Sequence, residues 1–450
     1  MDFALSDNQK NIIATFREFG ESVFTPESVF QWRKDQGLPD EVVKGFVDRY
    51  FALDDQSPDG MGIMSQTLIL EELCRCAGAA LPFQNDLFNL QIMGGFADET
   101  VSSRVLDDYR QTGRLMFSLG VSEPNAGSDT MSMTTSVETR DGRLVLNGKK
   151  TYVNNGEYSP SILCAAIDKD TPSEDEYPSL SFWLIPHDLP GIRAVPINKI
   201  GQSMVPFASV SFDEVELKPE YRLRGHEGGF RHLFKMLEFG RVFTCAASLG
   251  MAQAAMEDAV ANARVRKAFG VSIGQFQQVE QMLTDMEVSL RTMRSMLYQA
   301  AWAIETDQPD KRLAVALMKR YIPKTATEVA SSAMQILGGL GYTDSARVST
   351  IWQDCRGNQI AEGTDQIMVY ISAPLIMKEY EQKALWAWFR RLLFRDHPRL
   401  GWVALTDFAP KRCCSERPLS GSAALPKLIL PERPRLSWMG VIGCALIALL

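Results

Sequence analysis

Histidine is scarce in this chain: there are four in 450 residues, His187, His226, His232 and His397, and no two stand at helical ligand spacing. A metal centre or a serine–histidine nucleophile therefore has little to rest on, and no metal is expected. The eight cysteines, Cys74, Cys76, Cys164, Cys245, Cys355, Cys413, Cys414 and Cys444, include no Cys-x-x-Cys pair. That argues against zinc and fits a reducing, cytoplasmic setting. Positive charge is also short. With 47 Lys and Arg against 55 Asp and Glu the net charge is -8, so the bulk of the chain offers phosphate no basic face and nucleic-acid binding is not expected. The opening Met1–Asp7 has neither a basic nor an apolar segment, so no secretory signal is expected.

What is present is a chain long enough for a sizeable core and two or three domains. Up to residue 116, apolar residues recur at helical spacing, as in Ile12, Ile13, Phe16 and Phe19 and again over Leu68–Leu73, which predicts an N-terminal helical domain, 1–116. Asp54–Gly60 reads as a loop by its turn residues. Over 117–226 the pattern alternates in short runs, Val137–Thr139, Leu144–Leu146, Thr151–Val153, Ser161–Ala166, Ser179–Ile185 and Ser209–Leu217, predicting a middle antiparallel β-domain. Asn147-Gly148 stands between two of these runs and carries the residue preference of a type I′ hairpin turn. Over 227–383 long helical stretches return, Phe230–Ala263, Gln275–Glu305, Asp310–Leu337 and Asp365–Glu381, with lengths suited to a C-terminal four-helix bundle. Their methionines, among them Met236, Met251, Met286 and Met293, read as bundle core. The expected fold class is α+β.

The last stretch, 384–450, differs in kind. It holds ten Lys and Arg against four Asp and Glu, half of the tryptophans and six prolines. Two readings stay open: a basic amphipathic helix over Leu385–Arg395 lying on a membrane surface, or a disordered, non-native extension that is dispensable. The apolar run Trp438–Leu450 reaches only about 20 Å as a helix, short of the ~30 Å a span requires. Membrane contact is expected only through this tail.

Two loops carry candidate chemistry. In Gln359–Gln366 a carboxylate, Glu362, stands beside Gly363 at a break between helices. It is either a pocket-facing base or a solvated residue ahead of an N-cap at Thr364. In Gly120–Asp129 small residues, hydroxyls and backbone N–H groups either cradle a polar cofactor or satisfy one another within a turn.

The segment Gly120-Val121-Ser122-Glu123-Pro124-Asn125-Ala126-Gly127-Ser128-Asp129 resembles the flavin-binding signature of the acyl-CoA dehydrogenase family. Four more segments match in order: Lys150–Gly156; Arg266-Lys267-Ala268-Phe269-Gly270 with Gln277; Gln335-Ile336-Leu337-Gly338-Gly339; and Glu362-Gly363-Thr364. Five ordered motifs over residues 1–383 are specific where one would be weak. The resemblance implies FAD held by Leu119, Val121, Ser122, Ser128, Tyr152, Val153, Asn154, Gln335, Gly338, Gly339, Thr364 and Gln366, and by Arg266, Phe269 and Gln277 of an adjacent subunit in a homotetramer or dimer. It implies an acyl-CoA thioester bound near Ser128, Glu238, Arg241 and Gly363, with Glu362 as the catalytic base, and an electron-transfer flavoprotein as electron acceptor. The cofactor would carry the redox chemistry, leaving the protein to desolvate the base and position the substrate.

There are departures. Asn154 stands where the family commonly has Thr, Tyr152 where many members have Trp, and Thr350 and Gln353 at usually basic positions; the usual Pro-Glu-Glu-Tyr-Gly-Gly loop is missing near Asp54–Gly60. In detail the chain is similar to bacterial crotonobetainyl-CoA reductase-like members, which commonly carry Gly where this chain has Glu362. That difference favours dehydrogenation over enoyl-CoA reduction, while a carrier-protein thioester substrate and a non-catalytic partner subunit remain alternative readings.

Overall fold

The structure, a computed structural model, describes residues 4–57, 60–172, 178–223 and 229–394, with side chains described as far as Lys383. The chain divides into a compact unit, Met1–Lys383, and a second unit, Ala384–Leu450. The expected amphipathic face of Leu385–Arg395 and the apolar run Trp438–Leu450 lie outside the described residues. Among the described residues no helix is long and apolar enough to cross a membrane, and no group of three metal-ligating side chains occurs.

Among the described residues six helices open the fold: α1 (Asp7–Val23), α2 (Pro26–Asp35), α3 (Asp40–Asp54), α4 (Ile63–Ala77), α5 (Phe83–Phe96) and α6 (Glu99–Thr112). Ser6 and Gln9 begin α1 with a reciprocal capping box, and α4 ends where Gly78 takes a left-handed φ of 58°. In α4 the run Leu68–Leu73 is buried on every side, including Glu71 and Glu72. Those two carboxylates are met by Arg294 and Tyr298, and by Arg17 and Arg75, respectively.

A seven-stranded sheet follows: β1 (Ser118–Gly120), β2 (Ser136–Arg140), β3 (Arg143–Asn154), β4 (Ser161–Asp168), β5 (Leu180–Pro186), β6 (Ile192–Ile197) and β7 (Phe207–Leu217). Its ladders are antiparallel as expected except that β4 pairs in parallel with both β1 and β2, so the sheet is mixed. The expected hairpin at Asn147-Gly148 is not there. β3 runs straight through that dipeptide with a register shift against β7, and the β2–β3 turn is made by Asp141-Gly142, whose φ values of 49° and 77° are those of a type I′ turn. Asn147 instead uses its side chain, donating to Glu214 Oε1 at 2.7 Å and accepting from Glu214 N at 2.9 Å.

The remaining helices are α7 (Gly229–Val265), α8 (Gln277–Glu305), α9 (Lys311–Leu337), α10 (Arg347–Asn358) and α11 (Asp365–Phe394), with a small hairpin of β8 (Lys267–Ala268) and β9 (Val271–Ser272) after α7. α7, α8 and α9 pack on one another, α4 covers α7 and α8 from the N-terminal side, and α10 lies against α7 and α9. One hydrophobic core therefore runs from Ile12 and Phe46 through Leu249 and Met251 to Leu290 and Ile322, so both ends of the compact unit share it; the sheet keeps a second core around Trp183, Val153 and Phe212. α11 leaves Tyr370, Met377 and Tyr380 exposed. Asp354 of α10, fully buried, is the junction of the three parts. It accepts from Arg33 Nη1 at 2.9 Å, from Ala80 N at 3.0 Å and from the backbone of Gln202 in the β6–β7 loop, and so fixes the helix that leads into the Glu362 loop.

Candidate active site

Glu362 sits in the short connection between α10 and α11, with a left-handed φ of 55° that a non-glycine residue adopts only where its surroundings hold it. Two cations supply that hold. Arg241 of α7, buried, donates from Nε to the Glu362 carbonyl at 3.1 Å, and Lys319 of α9, with no exposure, donates to the carbonyls of Asn358 at 2.8 Å and Gly363 at 3.2 Å. Thr364 does cap α11, its Oγ1 accepting from Ile367 N at 3.3 Å; the cap and the buried carboxylate coexist.

The Glu362 side chain points back at α7. A methyl group on Gly240 would lie 2.5 Å from Glu362 Oε2, so the glycine makes room for the carboxylate. Oε2 is out of solvent and has no hydrogen-bond partner among the described residues. Burial pushes the Glu362 carboxyl above its ordinary range, while Arg241 and Lys319, near but not bonded to the carboxylate, pull it partly back. Burial likewise raises Glu238, one turn earlier on α7, against the pull of Lys311 and Arg241. A desolvated, unpartnered carboxylate is equipped to take a proton from a substrate held against it.

The Gly120–Asp129 loop is held by a buried ion pair. Lys150 of β3 reaches Glu123 at 2.8 Å and the Val121 carbonyl at 3.1 Å, and Glu123 also accepts from Thr134 N and Oγ1 and from Thr135 N. Thr151 N donates to the Ser122 carbonyl at 2.8 Å, so loop and strand move together. A register shift between Lys150 and Val153 turns Tyr152 outward, 62% exposed and with a φ of 57°. Leu119 and Val121 pack on the main core and Ser122 is half-buried, while Ser128 is exposed. Val153 places its side chain in the sheet core, so only its backbone can face a ligand.

Asn154 connects this loop to the helices. Its Nδ2 lies 3.4 Å from Asn85 Oδ1 on α5, and the neighbouring Gln84 donates to Thr244 Oγ1 at 3.1 Å, one turn beyond Gly240 on α7. Asn154 is thus linked through α5 to the stretch of α7 that carries Gly240 and Arg241, against which Glu362 packs. A second group lies elsewhere. Arg266 follows α7, roughly 39 Å along that helix from Gly240, beside the exposed Phe269 and Gln277; there Asn262 donates to the Ile336 carbonyl at 3.1 Å, bringing Gln335, Gly338 and Gly339 to the same end. One copy of the chain does not unite the two groups.

The residues fit an FAD on two observations. Asn154 Oδ1 and Asn85 Nδ2 are buried without partners beside the exposed Tyr152 ring, and Gly338 (φ 62°) and Gly339 leave open space where a Cβ would stand. The sequence reading missed Lys319, Glu123 with Lys150, and Gln84 with Asn85. Lys319 had a visible signal: it is the one charge in the helical stripe Val315, Met318, Ile322 and Ala326.

The chain matches the family models for the acyl-CoA dehydrogenase middle domain over residues 118–215 and the acyl-CoA dehydrogenase C-terminal domain over residues 227–376. It is 34% identical over 389 residues to the probable acyl-CoA dehydrogenase YdiO of Escherichia coli K12, covering 85% of this chain and all of that one. Among solved structures it is similar to an acyl-CoA dehydrogenase from Slackia heliotrinireducens (51% identity, TM-score 0.76, 85% of this chain and 99% of that one). It is also similar to the butyryl-CoA dehydrogenase of Megasphaera elsdenii (25% identity, TM-score 0.77, 84% and 100%). Motif order, site geometry and these matches agree: the chain belongs to the acyl-CoA dehydrogenase family and is an FAD-dependent oxidoreductase.

Proposed function

We propose that the protein dehydrogenates an acyl-CoA thioester to the trans-2-enoyl-CoA, with Glu362 as the base that removes the α-proton. The observation that carries this is the unpartnered Oε2 of Glu362, held out of solvent against Gly240. The α C–H bond breaks toward that oxygen, which ends protonated; the carboxyl is raised by burial, so it is a stronger base than a solvated glutamate. The backbone around Glu362 stays fixed because Arg241 holds the Glu362 carbonyl and Lys319 the carbonyls of Asn358 and Gly363. When bound, FAD supplies the acceptor for the hydride lost from the β-carbon.

Electrons pass from this protein to an electron-transfer flavoprotein. The working form is a homotetramer or dimer in which Arg266, Phe269 and Gln277 serve a neighbouring copy's cofactor. This reading is supported by their distance from Glu362, by the 97% exposure of Phe269 and by the exposed apolar side chains of α11. Arg266 suits a pyrophosphate because a guanidinium binds phosphate oxygens in pairs.

The test is an anaerobic titration of the yellow protein with a panel of acyl-CoAs of different chain length and head group. Bleaching by at least one saturated acyl-CoA is expected. A protein that stays yellow with every saturated thioester but is reoxidised, once reduced, by an enoyl-CoA would overturn the proposed direction.

A further inference from the structure

We propose that Lys319 is a positioning residue: its buried ammonium ties together the two ends of the loop that carries the base, so the geometry of Glu362 depends on a charge that it does not touch. The inference rests on the assignment of Glu362 as the base.

Lys319 lies in the middle of α9 with no exposure. Its hydrogen bonds go to two neutral backbone acceptors, Asn358 O at 2.8 Å and Gly363 O at 3.2 Å, and not to a carboxylate. Burying an ammonium without a bonded counter-ion is costly, and burial does lower the readiness of Lys319 to hold its proton. A methionine of similar length would fill the same space without that cost.

What the charge obtains is the loop. Asn358 is the last residue of α10, where free carbonyls and the negative end of the helix dipole favour a cation. Gly363 directly follows the base, and its φ of 94° and the 55° of Glu362 make two consecutive left-handed residues. Lys319 on Gly363 O and Arg241 on Glu362 O hold these successive peptides from two different helices, α9 and α7. Neither cation bonds the carboxylate, and Oε2 has no hydrogen-bond partner among the described residues.

The charged and titratable groups around this point are Arg241 and Cys245 from α7, Glu362 in the loop and Asp365 at the start of α11. Lys319 is one of the two cations that lower Glu362 against burial, so removing its charge lifts the carboxyl further and moves the ascending limb of activity to higher pH.

Two measurements on the FAD-loaded protein test this with Lys319→Met and Lys319→Arg. In Lys319→Met, amide hydrogen exchange over residues 359–364 should speed up about tenfold or more while α8 is unchanged, and the pH midpoint of anaerobic bleaching should rise by about one unit. Lys319→Arg should restore the midpoint most of the way. Unchanged loop exchange with an unmoved midpoint would overturn the proposal, since a core-filling residue lowers stability without either effect. If Lys319→Met does not fold, Lys319→Gln, which keeps a donor and loses the charge, must show the raised midpoint or the proposal fails. The exchange measurement needs no acyl-CoA, so a parent that never bleaches would count against the proposed reaction and not against the clamp.

Discussion

Glu123, buried, and Glu362, half-buried with its Oε2 out of solvent, each lie near a lysine, and the protein treats them in opposite ways. Glu123 has both oxygens engaged, by Lys150, by Thr134 and by Thr135 N. Burial alone would raise its carboxyl, but the Lys150 charge and these donors hold it down at about 2. Glu362 is also desolvated, yet its lysine is spent on backbone carbonyls, Oε2 has no partner, and the carboxyl rises. Burial pushes both carboxyls up; the placement of the donors decides which of them is pulled back down. The first carboxylate holds a loop in place, and the second is left without a donor on Oε2.

The comparison breaks most visibly at Glu362→Gln, which keeps size and removes the proposed base. The variant should fold, stay yellow and bind acyl-CoA while flavin bleaching in stopped flow slows by about 10²–10⁴. Its stability should not fall. A carboxyl raised by folding stabilises below its ordinary pKa near 4.5 and loses that contribution as pH rises through the raised value, so at neutral pH the glutamine is, if anything, the easier group to bury. An unchanged bleaching rate would remove Glu362 from the chemistry.

Glu123→Gln should do the reverse. It leaves the Lys150 ammonium, itself fully buried, without its counter-charge, and breaking such a pair costs about 3–5 kcal/mol. The sign with pH is also reversed. A depressed carboxyl stabilises above about 4.5 and loses that contribution as pH falls through about 2, so the gap between parent and variant in denaturant melts should close across that range. A gap that does not depend on pH would mean that the glutamate packs and does not pair.

Local chemistry wrote much of this structure plainly. The helix starting at Ser6, the glycine stop after Leu337 and the long periodic stretches of α7, α8 and α9 all follow from signals within one or two turns. β6 and α10 did not announce themselves. β6 is largely exposed and contains Pro196, and α10 is short and has no side-chain cap at Ala346. Asn147-Gly148 misled because a bulge and a hairpin ask for the same residues, and only the pairing of β3 with β7 decides between them. At the site, the motif order pointed to Glu362. Its carboxylate's isolation was not legible, because it depends on Gly240, Arg241 and Lys319 arriving from helices 43 or more residues away in the chain. Lys150 likewise meets Glu123 across 27 residues.

Asp86 sharpens the comparison because it shares the features of Glu362 without its setting. It is buried on α5, has an oxygen without a partner, and burial pushes it up to about 7, yet it faces Tyr109 of α6 within the N-terminal helices. Its stabilising contribution is complete below its ordinary value near 3.8 and is lost as pH rises through about 7. Asp86→Asn should therefore match the parent near pH 3.5, gain on it as pH rises toward 7 and exceed it in stability at pH 8 by on the order of 4 kcal/mol, with bleaching unaffected. Slower bleaching in this variant would extend the reactive region into the N-terminal helices.

Gly240→Ala tests whether the position of Glu362 matters separately from its ionisation. In the middle of α7 an alanine is favoured over glycine by roughly 0.5–1 kcal/mol, so the helix itself gains. The added methyl would stand 2.5 Å from Oε2 and 2.6 Å from Cδ of Glu362, closer than atoms can approach, so the carboxylate must swing away. Arg241 and Lys319 hold the loop backbone, so the side chain and not the peptide gives way. Bleaching should slow about tenfold, because a base displaced by a fraction of an ångström to 1 Å loses alignment without losing its charge. Acyl-CoA binding and thermal stability should stay level or improve, which separates this variant from one that simply misfolds. An unaltered rate would show that the carboxylate reaches its proton from more than one position, and that the glycine serves only helix packing.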